Sequence, residues 1–344
     1  MALLVLNSDR FSMHTPPPGH PERPERQDVF HVVARGWQAR GAILREPSPA
    51  TREHVARVHT RRFIDVLESV AGTAAMLDPD TYTSPESVDL SMLAAGAVVD
   101  GVDAVLSGEA SCAAALVRPP GHHSGRDRAR GFCLVNNVAV AAAHALTRGA
   151  ARVAILDFDV HHGNGTQEIF EDDPRVLFVS THQWPGYPGG GVCEEVGTGP
   201  GQGFTINLPL EAGAADADVA LVYRDIVVPV VAEFAPELIL VSAGFDAHER
   251  DPLAGMRMSE AGFAVLMRHI TGLADRCCGG RVVMVTEGGY DLPALGASLD
   301  ACLAVLAGAS GEPPQEAALP GDSRRGAQAA ARSRLALSRY WRGL

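Results

Sequence analysis

The sequence contains no lysine, so all 29 of its basic side chains are arginines. Acidic residues outnumber the arginines, since the sequence has 41 aspartates and glutamates, and its formal net charge is therefore −12. Binding to nucleic acid needs a basic surface, which this balance does not favour. We therefore expect no nucleic-acid partner, whereas the field of the whole chain would attract cationic substrates.

Long apolar runs are also missing from the sequence. No uninterrupted apolar stretch approaches the roughly 18 residues that a membrane-spanning helix requires. The apolar start, residues 1–6, is too short for the core of a secretory signal and meets the polar Asn7 directly. These features predict no membrane association and a cytoplasmic location.

Paired cysteine motifs are absent as well. The six cysteines show no CxxC spacing, and Cys277 and Cys278 are adjacent, which suits a disulfide framework poorly. We expect reduced thiols, as is usual in the cytoplasm.

The apolar segments that are present are short and alternate with longer helical patterns. The strand candidates lack polar alternation, as in a sheet covered on both faces. The predicted strands are 113–117, 153–158, 176–180, 238–242 and 282–286. The predicted helices are 138–146, 216–234 and 259–277. This alternation predicts a parallel, doubly wound α/β sheet flanked by helices in a single domain.

Residues able to do chemistry directly follow five of these strands. Ligands of open parallel sheets bind at the carboxyl ends of the strands, so such a cluster marks the candidate site. The five segments are 118–123 (Arg-Pro-Pro-Gly-His-His), 157–163 (Asp-Phe-Asp-Val-His-His-Gly), 180–182 (Ser-Thr-His), 244–246 (Gly-Phe-Asp) and 287–290 (Glu-Gly-Gly-Tyr).

Asp157, Asp159 and His161 have the spacing of a metal site. Side chains at i, i+2 and i+4 of an extended run share one face. Two carboxylates and an imidazole suit zinc, iron(II), manganese or cobalt. Asp246 is a candidate third ligand, and three protein ligands leave a position open for water and substrate. The alternative is a polar loop in which the aspartates cap the next turn.

His122 and His123 follow a rigid Pro-Pro-Gly turn. This suits positioned acid–base work, because imidazole titrates near neutrality. Asp157 and Asn164 are candidate partners for the far nitrogen atoms of the two rings. The alternative is a structural histidine pair.

Tyr290 has a phenol that could donate a hydrogen bond to a developing oxyanion opposite a metal. Gly288 and Gly289 precede it and would let the backbone approach a substrate closely. The alternative is a buried aromatic residue on an ordinary turn.

In combination, these segments resemble the zinc-dependent histone deacetylase superfamily, which also includes acetylpolyamine amidohydrolases and acetoin-utilisation proteins. The resemblance runs in the same order from residue 1 to about 307, and Asn164 and the 244–246 segment are similar to the class II branch. The segments that carry it are 19–26 (GHPERPER), 118–123 (RPPGHH), 131–137 (GFCLVNN), 156–167 (LDFDVHHGNGTQ), 242–246 (SAGFD) and 287–290 (EGGY).

The resemblance implies an arginase/deacetylase-like fold with its active site at the carboxyl ends of the strands. It implies a zinc-dependent amidohydrolase that removes acetyl or related acyl groups from amines, with a catalytic domain over residues 1–310. The remaining residues, 311–344, are expected to form a loop and a surface helix. The composition places the exposed loop at 308–326 and the arginine-rich helix at 327–344.

The resemblance also assigns catalytic roles residue by residue. The implied zinc ligands are Asp159, His161 and Asp246. His123 is the implied general base, and His122 is a second, electrostatic imidazole. Their implied partners are Asn164 and Asp157, and the implied oxyanion donor is Tyr290.

Further residues are implied around this centre. Phe132 and Tyr187 match the aromatic walls of an acyl-lysine tunnel. The other implied substrate contacts are Gly131, Leu253, Gly288 and Gly289. The implied ligands of a structural potassium ion are Asp157, Asp159, His161, Ser180 and Thr181. Arg26 matches an arginine at the base of a channel for released acetate.

Two other functions are weighed against this one. Arginase-type enzymes with two manganese ions resemble Asp-x-His-x-Asp at this strand, whereas Gly163 stands here in place of the last carboxylate. A non-catalytic binder of acylated amines would be expected to lose a ligand or the tyrosine, and none is lost here.

The substrate class stays open among acyl-lysine in proteins or peptides, acetylated polyamines and other acylated small amines. Leu253 favours acyl-lysine, because the polyamine-selective relatives in the class II branch carry glutamate at the matching position. The acyl-chain preference and the oligomeric state also stay open.

Overall fold

Apolar runs without polar alternation form the centre of the fold, because helices cover both faces of the sheet that these runs build. The computed structural model describes residues 2–308 and 319–344. The strands are β1 Leu3–Leu6, β2 Ile43–Arg45, β3 Ala75–Asp78, β4 Thr81–Thr83, β5 Cys112–Ala115, β6 Val153–Asp157, β7 Val176–Gln183, β8 Thr205–Leu210, β9 Leu238–Ala243 and β10 Val282–Thr286. Eight of them form one parallel sheet in the order β2-β1-β5-β10-β9-β6-β7-β8.

Eleven α-helices are present in the described part of the chain. They are α1 Glu25–Ala39, α2 Arg52–Val55, α3 Arg61–Val70, α4 Ser87–Ser107, α5 Asn137–Thr147, α6 Asn164–Phe170, α7 Asp216–Val222, α8 Val228–Phe234, α9 Glu260–Cys278, α10 Leu292–Leu306 and α11 Arg324–Leu337. Strands β3 and β4 form a separate antiparallel hairpin.

Strand β1 illustrates how the sheet supplies two cores. Leu3 and Val5 join the core on one face, whereas Leu4 and Leu6 join the core on the other, as the two-residue period of a strand requires. Helices α1 and α7 to α11 contribute to the first core, and helices α2 to α6 contribute to the second. The predicted α/β sheet flanked by helices is therefore confirmed.

All five predicted strands are present: β10 has the predicted bounds, and the other four have shifted ends. The first occupies Cys112–Ala115 instead of 113–117, and β7 continues to Gln183 instead of ending at residue 180. The predicted helix over 216–234 is interrupted by a π turn at Tyr223–Val227, in which the Val228 N–H binds the Tyr223 carbonyl. Pro229 follows and has no N–H to continue the regular helical bonds, which explains the interruption.

Three strands of the sheet were not predicted. Strands β1 and β2 are only four and three residues long. Strand β8 contains Asn207 and Pro209, which are residue types depleted in strands. Strand β8 lies at the edge of the sheet, and its outer side has no neighbouring strand. A proline is tolerated there, because no backbone N–H is needed to bond to a neighbour.

Helix α4 is long and apolar enough, by length and composition alone, to cross a membrane. It has 21 residues, and 72% of its most apolar window is buried inside the protein. It packs on α5 and β5, so it is an element of the second core. Core helices commonly meet the same criterion.

Helix α11 carries the arginine-rich tail, and it begins at Arg324 rather than at the predicted residue 327. Ala329, Ala330 and Leu337 on one of its faces join the first core, so the helix covers the sheet edge and is not purely a surface element. The Ser333 hydroxyl donates to the Asn207 carbonyl of β8. The predicted loop at 308–326 and the boundary at 310 fall largely outside the described residues.

All six cysteines are free thiols in the structure. The buried thiols of Cys112 and Cys302 donate hydrogen bonds to the carbonyls of Leu306 and Phe263, respectively. Burial raises the pKa of the Cys302 thiol, so it behaves as a small apolar side chain.

Trp341 should contribute strongly to stability, because it packs against both Phe204 and Phe234 and its Nε1 donates to the Gly203 carbonyl. We expect Trp341→Ala to lower the free energy of unfolding by about 3–5 kcal/mol, measured by denaturant titration. Leu335→Ala is the matched control, because Leu335 is 84% exposed. Equal effects of the two substitutions would contradict the packing of the tail.

Candidate active site

The carboxyl ends of β5, β10, β9 and β6 lie side by side in the sheet. Because these strands are parallel, the segments that follow them meet at one edge. Backbone bonds join the segments directly: Gly165 N–H and Thr166 N–H donate to the His122 carbonyl, and Phe245 N–H donates to the Gly288 carbonyl. The predicted chemical residues therefore come together in space.

Asp159, His161 and Asp246 form a cluster whose ligand atoms all lie within 4.8 Å of one another. His161 Nδ1 is 3.2 Å from Asp159 Oδ1 and 3.1 Å from Asp246 Oδ2. The other carboxylate oxygens accept backbone bonds, Asp159 Oδ2 from Gly288 N–H at 2.8 Å and Asp246 Oδ1 from Val160 N–H at 3.0 Å. Each carboxylate thus faces the His161 ring with one oxygen and accepts a backbone bond with the other, and Asp159 Oδ1 also accepts from the His161 N–H at 2.9 Å.

The electrostatics of this cluster favour a cation. Burial opposes ionisation of Asp159, but His122 and His161 hold its pKa below the usual range. Burial and the Asp159 carboxylate raise the pKa of Asp246. Burial also opposes a charge on His161, yet the two carboxylates raise its pKa well above the usual value. A divalent ion would displace the proton that the two carboxylates hold on His161.

His122 and His123 stack with their ring centroids 4.0 Å apart. His122 Nδ1 is 2.9 Å from Asp157 Oδ2, and His123 Nδ1 is 2.9 Å from Asn164 Oδ1. Carboxylate and amide oxygens only accept, so each ring carries a hydrogen on Nδ1. The two partners are the ones that the sequence predicts.

The two imidazoles differ in charge. Burial disfavours the charged form of His122, but Asp157 and Asp159 outweigh it and raise the pKa to about 10. Burial, with the positive charges of His122 and His161, lowers the pKa of His123 well below its usual value. At neutral pH His122 is protonated and His123 is a neutral base with a bare Nε2.

A narrow cavity of about 80 Å³ opens onto these groups. Its lining residues are Asp80, Pro120, His122, His123, Gly131, Phe132, Asp159, His161, Tyr187, Leu253, Gly288 and Tyr290. The Phe132 and Tyr290 rings are perpendicular, with centroids 6.0 Å apart. A Cβ at Gly131 would lie 2.4 Å from the His123 ring, so glycine is required for the turn that presents Phe132.

Arg26 packs against Tyr290, with its guanidinium 5.1 Å from the centroid of the tyrosine ring. Arg26 is fully buried and donates to the carbonyls of Gly289 and Glu287 and to the Glu22 carboxylate. Burial raises the pKa of Tyr290 well above its usual value, against the opposing effect of Arg26. The phenol therefore stays protonated and able to donate.

The residues predicted to bind substrate line this cavity, with the exception of Gly289. Gly289 has φ +121°, and a Cβ there would meet Leu295 and Phe245 instead of the cavity. Gly289 contacts the site indirectly, because its carbonyl accepts a hydrogen bond from Arg26. Tyr187 and Leu253 are 43% and 41% exposed and form part of the mouth.

Of the residues predicted to hold potassium, Asp157 lies on β6 and Ser180 and Thr181 lie on β7, whereas Asp159 and His161 lie in the segment that follows β6. Asp157 and Ser180 are direct neighbours in the register of these strands. Ser180 Oγ lies 2.9 Å from His182 Nδ1. Thr181 is next along β7, so its side chain lies on the opposite face and does not join the side chains of Asp157 and Ser180.

Two buried carboxylates at the site were not predicted. Glu287 accepts from the N–H groups of Gly121 and His122 and from the Ser242 hydroxyl. Asp251 accepts from the Tyr290 N–H at 2.7 Å. These partners are remote in sequence, so no local pattern reveals the contacts. The sequence feature that could have indicated Glu287 is its place in the Glu-Gly-Gly-Tyr segment after β10.

Comparison with known proteins gives the family. Residues 20–306 match the model of the histone deacetylase domain. The chain belongs to the histone deacetylase family. A protein of Archaeoglobus fulgidus named "Probable deacetylase" is 41% identical over 291 residues, 84% of this chain and 81% of that protein.

Other family members agree with this assignment. Histone deacetylase 15 of Arabidopsis thaliana is 37% identical over 319 residues, which are 90% of this chain but 56% of that protein. The histone deacetylase-like amidohydrolase of Pseudomonas aeruginosa is 40% identical over 285 residues, 79% of this chain and 73% of that protein. The crystal structure of the HDA15 HD domain matches with a TM-score of 0.91 and 32% identity, covering 99% of this chain and 96% of that one. The chain is thus a hydrolase of the histone deacetylase family with the arginase/deacetylase fold.

Asp246→Ala should remove the capacity for a metal ion, because it deletes one of the three clustered ligands. We expect wild-type protein dialysed against zinc to hold about one ion per chain by elemental analysis, and the variant to hold less than about a tenth of that. Asp80→Asn removes a carboxylate from the mouth of the same cavity and should keep the ion. A stoichiometric ion in Asp246→Ala would contradict the ligand assignment.

Proposed function

We propose that the protein is a zinc-dependent deacetylase that hydrolyses acetylated, or related acylated, lysine side chains of proteins or peptides. One observation carries the proposal: a metal-ligand cluster, a neutral imidazole and a protonated phenol face the same narrow cavity. Amide hydrolysis uses these three groups to polarise the carbonyl, to deprotonate water and to stabilise the oxyanion.

The cluster suits zinc. The residues that would hold the ion are Asp159, His161 and Asp246, and zinc accepts both carboxylate and imidazole ligands. Their electrostatics support a cation, since burial and the like charge of Asp159 raise the pKa of Asp246. When bound, zinc would polarise the substrate carbonyl and lower the pKa of water, so that a base can deprotonate the attacking water near neutral pH.

His123 serves as the base for the attacking water. Asn164 holds its Nδ1–H, so the lone pair on Nε2 is free to take the proton. His123 then returns this proton to the leaving nitrogen, which departs as a neutral amine. His122 remains an imidazolium paired with Asp157 and stabilises nearby negative charge.

Tyr290 donates its hydroxyl hydrogen to the substrate carbonyl oxygen as that oxygen gains negative charge. Its raised pKa supports this role, because an ionised phenol could not donate. The ring is held between Arg26 and the perpendicular ring of Phe132.

The walls of the cavity support an acyl-lysine substrate. Phe132, Tyr187 and Leu253 present apolar surface suited to the methylene stem of lysine. Leu253 offers no charge at the mouth to attract a distant ammonium group. These features favour a lysine side chain over a polyamine.

An acetylated small amine is the second candidate substrate, and Asp80 favours it. The Asp80 carboxylate lines the cavity and accepts from Gly131 N–H at 3.1 Å. A carboxylate in this position, with the net charge of −12, would attract an ammonium group on the substrate.

We further propose a structural potassium ion beside Asp157 and Ser180. His182 Nε2 donates to the Gly191 carbonyl, so its Nδ1 accepts the hydrogen of the Ser180 hydroxyl. Ser180 Oγ therefore keeps its lone pairs available for a cation. Thr181 would contribute a backbone carbonyl.

Tyr290→Phe should keep the fold and the metal but lower kcat/KM for an acetyl-lysine peptide on the order of 10²–10³-fold, because only the donating hydroxyl is lost. His123→Ala should lower it at least as much. The measurement is steady-state hydrolysis by zinc-loaded protein. A loss below about tenfold in Tyr290→Phe would exclude the phenol as oxyanion donor.

Leu253→Glu should shift selectivity toward acetylated polyamines, because a carboxylate at the mouth would attract their distant ammonium by about 1–3 kcal/mol if partly desolvated. The wild type is expected to prefer the acetyl-lysine peptide. The measurement is kcat/KM for a peptide and for acetylspermidine with both proteins, and Leu253→Gln is the neutral control. A tenfold wild-type preference for the polyamine, or an unchanged ratio in Leu253→Glu, would contradict the proposal.

A further inference from the structure

Asp251 lies in the loop between β9 and α9 and is 7% exposed. Its Oδ2 accepts from the Tyr290 N–H at 2.7 Å, and its Oδ1 accepts from the Leu253 N–H at 3.0 Å. One buried carboxylate thus binds the backbone of the oxyanion donor and of a residue at the mouth.

The two residues that Asp251 holds share a location. The catalytic cavity adjoins a groove of about 580 Å³ lined largely by residues 16–25. Tyr290 and Leu253 are the two residues that line both spaces. Together they form the wall that divides the catalytic cavity from the groove.

We propose that Asp251 is a positioning residue that holds this dividing wall, and so sets both the catalytic position of Tyr290 and the substrate selectivity exerted by Leu253. This rests on the proposed function, in which Tyr290 is the oxyanion donor. Asp251 acts through these two residues and does not itself line the catalytic cavity.

The backbone before Tyr290 needs such a restraint. Gly288 and Gly289 precede it, and Gly289 adopts φ +121°, so this segment has little conformational preference of its own. Arg26 binds the segment through the carbonyls of Glu287 and Gly289. Asp251 accepts a hydrogen bond from the N–H of Tyr290, which follows, so two buried side chains hold this turn, one through its carbonyls and the other through its N–H.

The bond to Leu253 fixes the other half of the wall. Asp251 binds the N–H two residues further along the chain, which is the bond that closes an Asx turn. Pro252, between them, has a fixed φ and cannot donate a competing backbone bond. Leu253, although 41% exposed, is therefore held at the mouth by the same carboxylate as Tyr290.

Asp251→Asn tests the proposal, because an amide has one oxygen and one NH2 and cannot accept from both N–H groups. We expect kcat for an acetyl-lysine peptide to fall about 10- to 100-fold, since small misplacements of a catalytic group carry such costs. The metal content should be unchanged. The kcat/KM ratio between the peptide and acetylspermidine should change as well, because Leu253 loses its restraint.

Glu249→Gln is the matched control. Glu249 is an exposed carboxylate two residues before Asp251, outside the site, and its substitution removes one negative charge from the same loop. It should leave kcat and the substrate ratio unchanged. Asp251→Ser, which removes the carboxylate without adding an amide, is the second variant and should reproduce the losses if Asp251→Asn is poorly folded.

A double-mutant cycle with Tyr290→Phe separates positioning from a general structural effect. If Asp251 acts on turnover through the Tyr290 hydroxyl, Asp251→Asn should lower kcat less than about threefold in the Tyr290→Phe background. Equal losses in both backgrounds, with Tyr290→Phe alone strongly impaired, would overturn this proposal and leave the proposed function intact. Wild-type kcat in Tyr290→Phe alone would overturn both.

Discussion

Four carboxylates are almost completely excluded from solvent at one edge of the sheet, and the rest of the site is organised around their negative charge. Asp157, Asp159, Asp246 and Glu287 are each at most 1% exposed. Buried carboxylates repel one another and take up protons unless positive charge or N–H donors lie beside them. His122 supplies one positive charge, and a divalent cation at the Asp159 cluster would supply two more. Burial nevertheless raises the pKa of Glu287 to about 7, although His122 opposes this.

Backbone N–H groups supply the remaining compensation, and they must approach the carboxylates closely. Gly288 N–H binds Asp159, and a Cβ at Gly288 would lie 2.2 Å from an oxygen of Asp246. No side chain fits there, so the acidic cluster itself requires glycine in the segment before Tyr290. The same glycine leaves the backbone conformationally free, which makes external restraints by Arg26 and Asp251 necessary. Burial of the acidic cluster therefore requires both the glycine before Tyr290 and the side chains that hold the phenol in position.

Much of this arrangement could be predicted from the sequence, because it depends on local patterns. The apolar runs identify the central strands, and the residues that carry the chemistry follow the strand ends. The expected shared face of Asp157, Asp159 and His161 is wrong, because β6 ends at Asp157. Asp157 binds His122, and the metal-ligand cluster contains Asp159, His161 and Asp246. The His122–Asp157 and His123–Asn164 pairs follow once the strand ends are known to converge. Asp251 could not be predicted in this way, since it does not follow a strand end directly but lies further along the loop after β9, and it binds a backbone N–H of Tyr290. Strand β8 was missed because its edge position tolerates a proline that composition alone counts against.

The absence of lysine bears on the buried charges as well as on the surface. Arg26 and Arg118 are fully buried, and both bind the buried carboxylate of Glu22. A lysine in either place would be prone to lose its proton on burial, whereas arginine stays charged. Its planar group can also bind a carboxylate and two carbonyls at once, as Arg118 does with Glu22, Phe11 and His14. The same composition means that no lysine side chain of this protein can be acylated, so a lysine deacetylase with this sequence cannot be its own substrate through a lysine side chain.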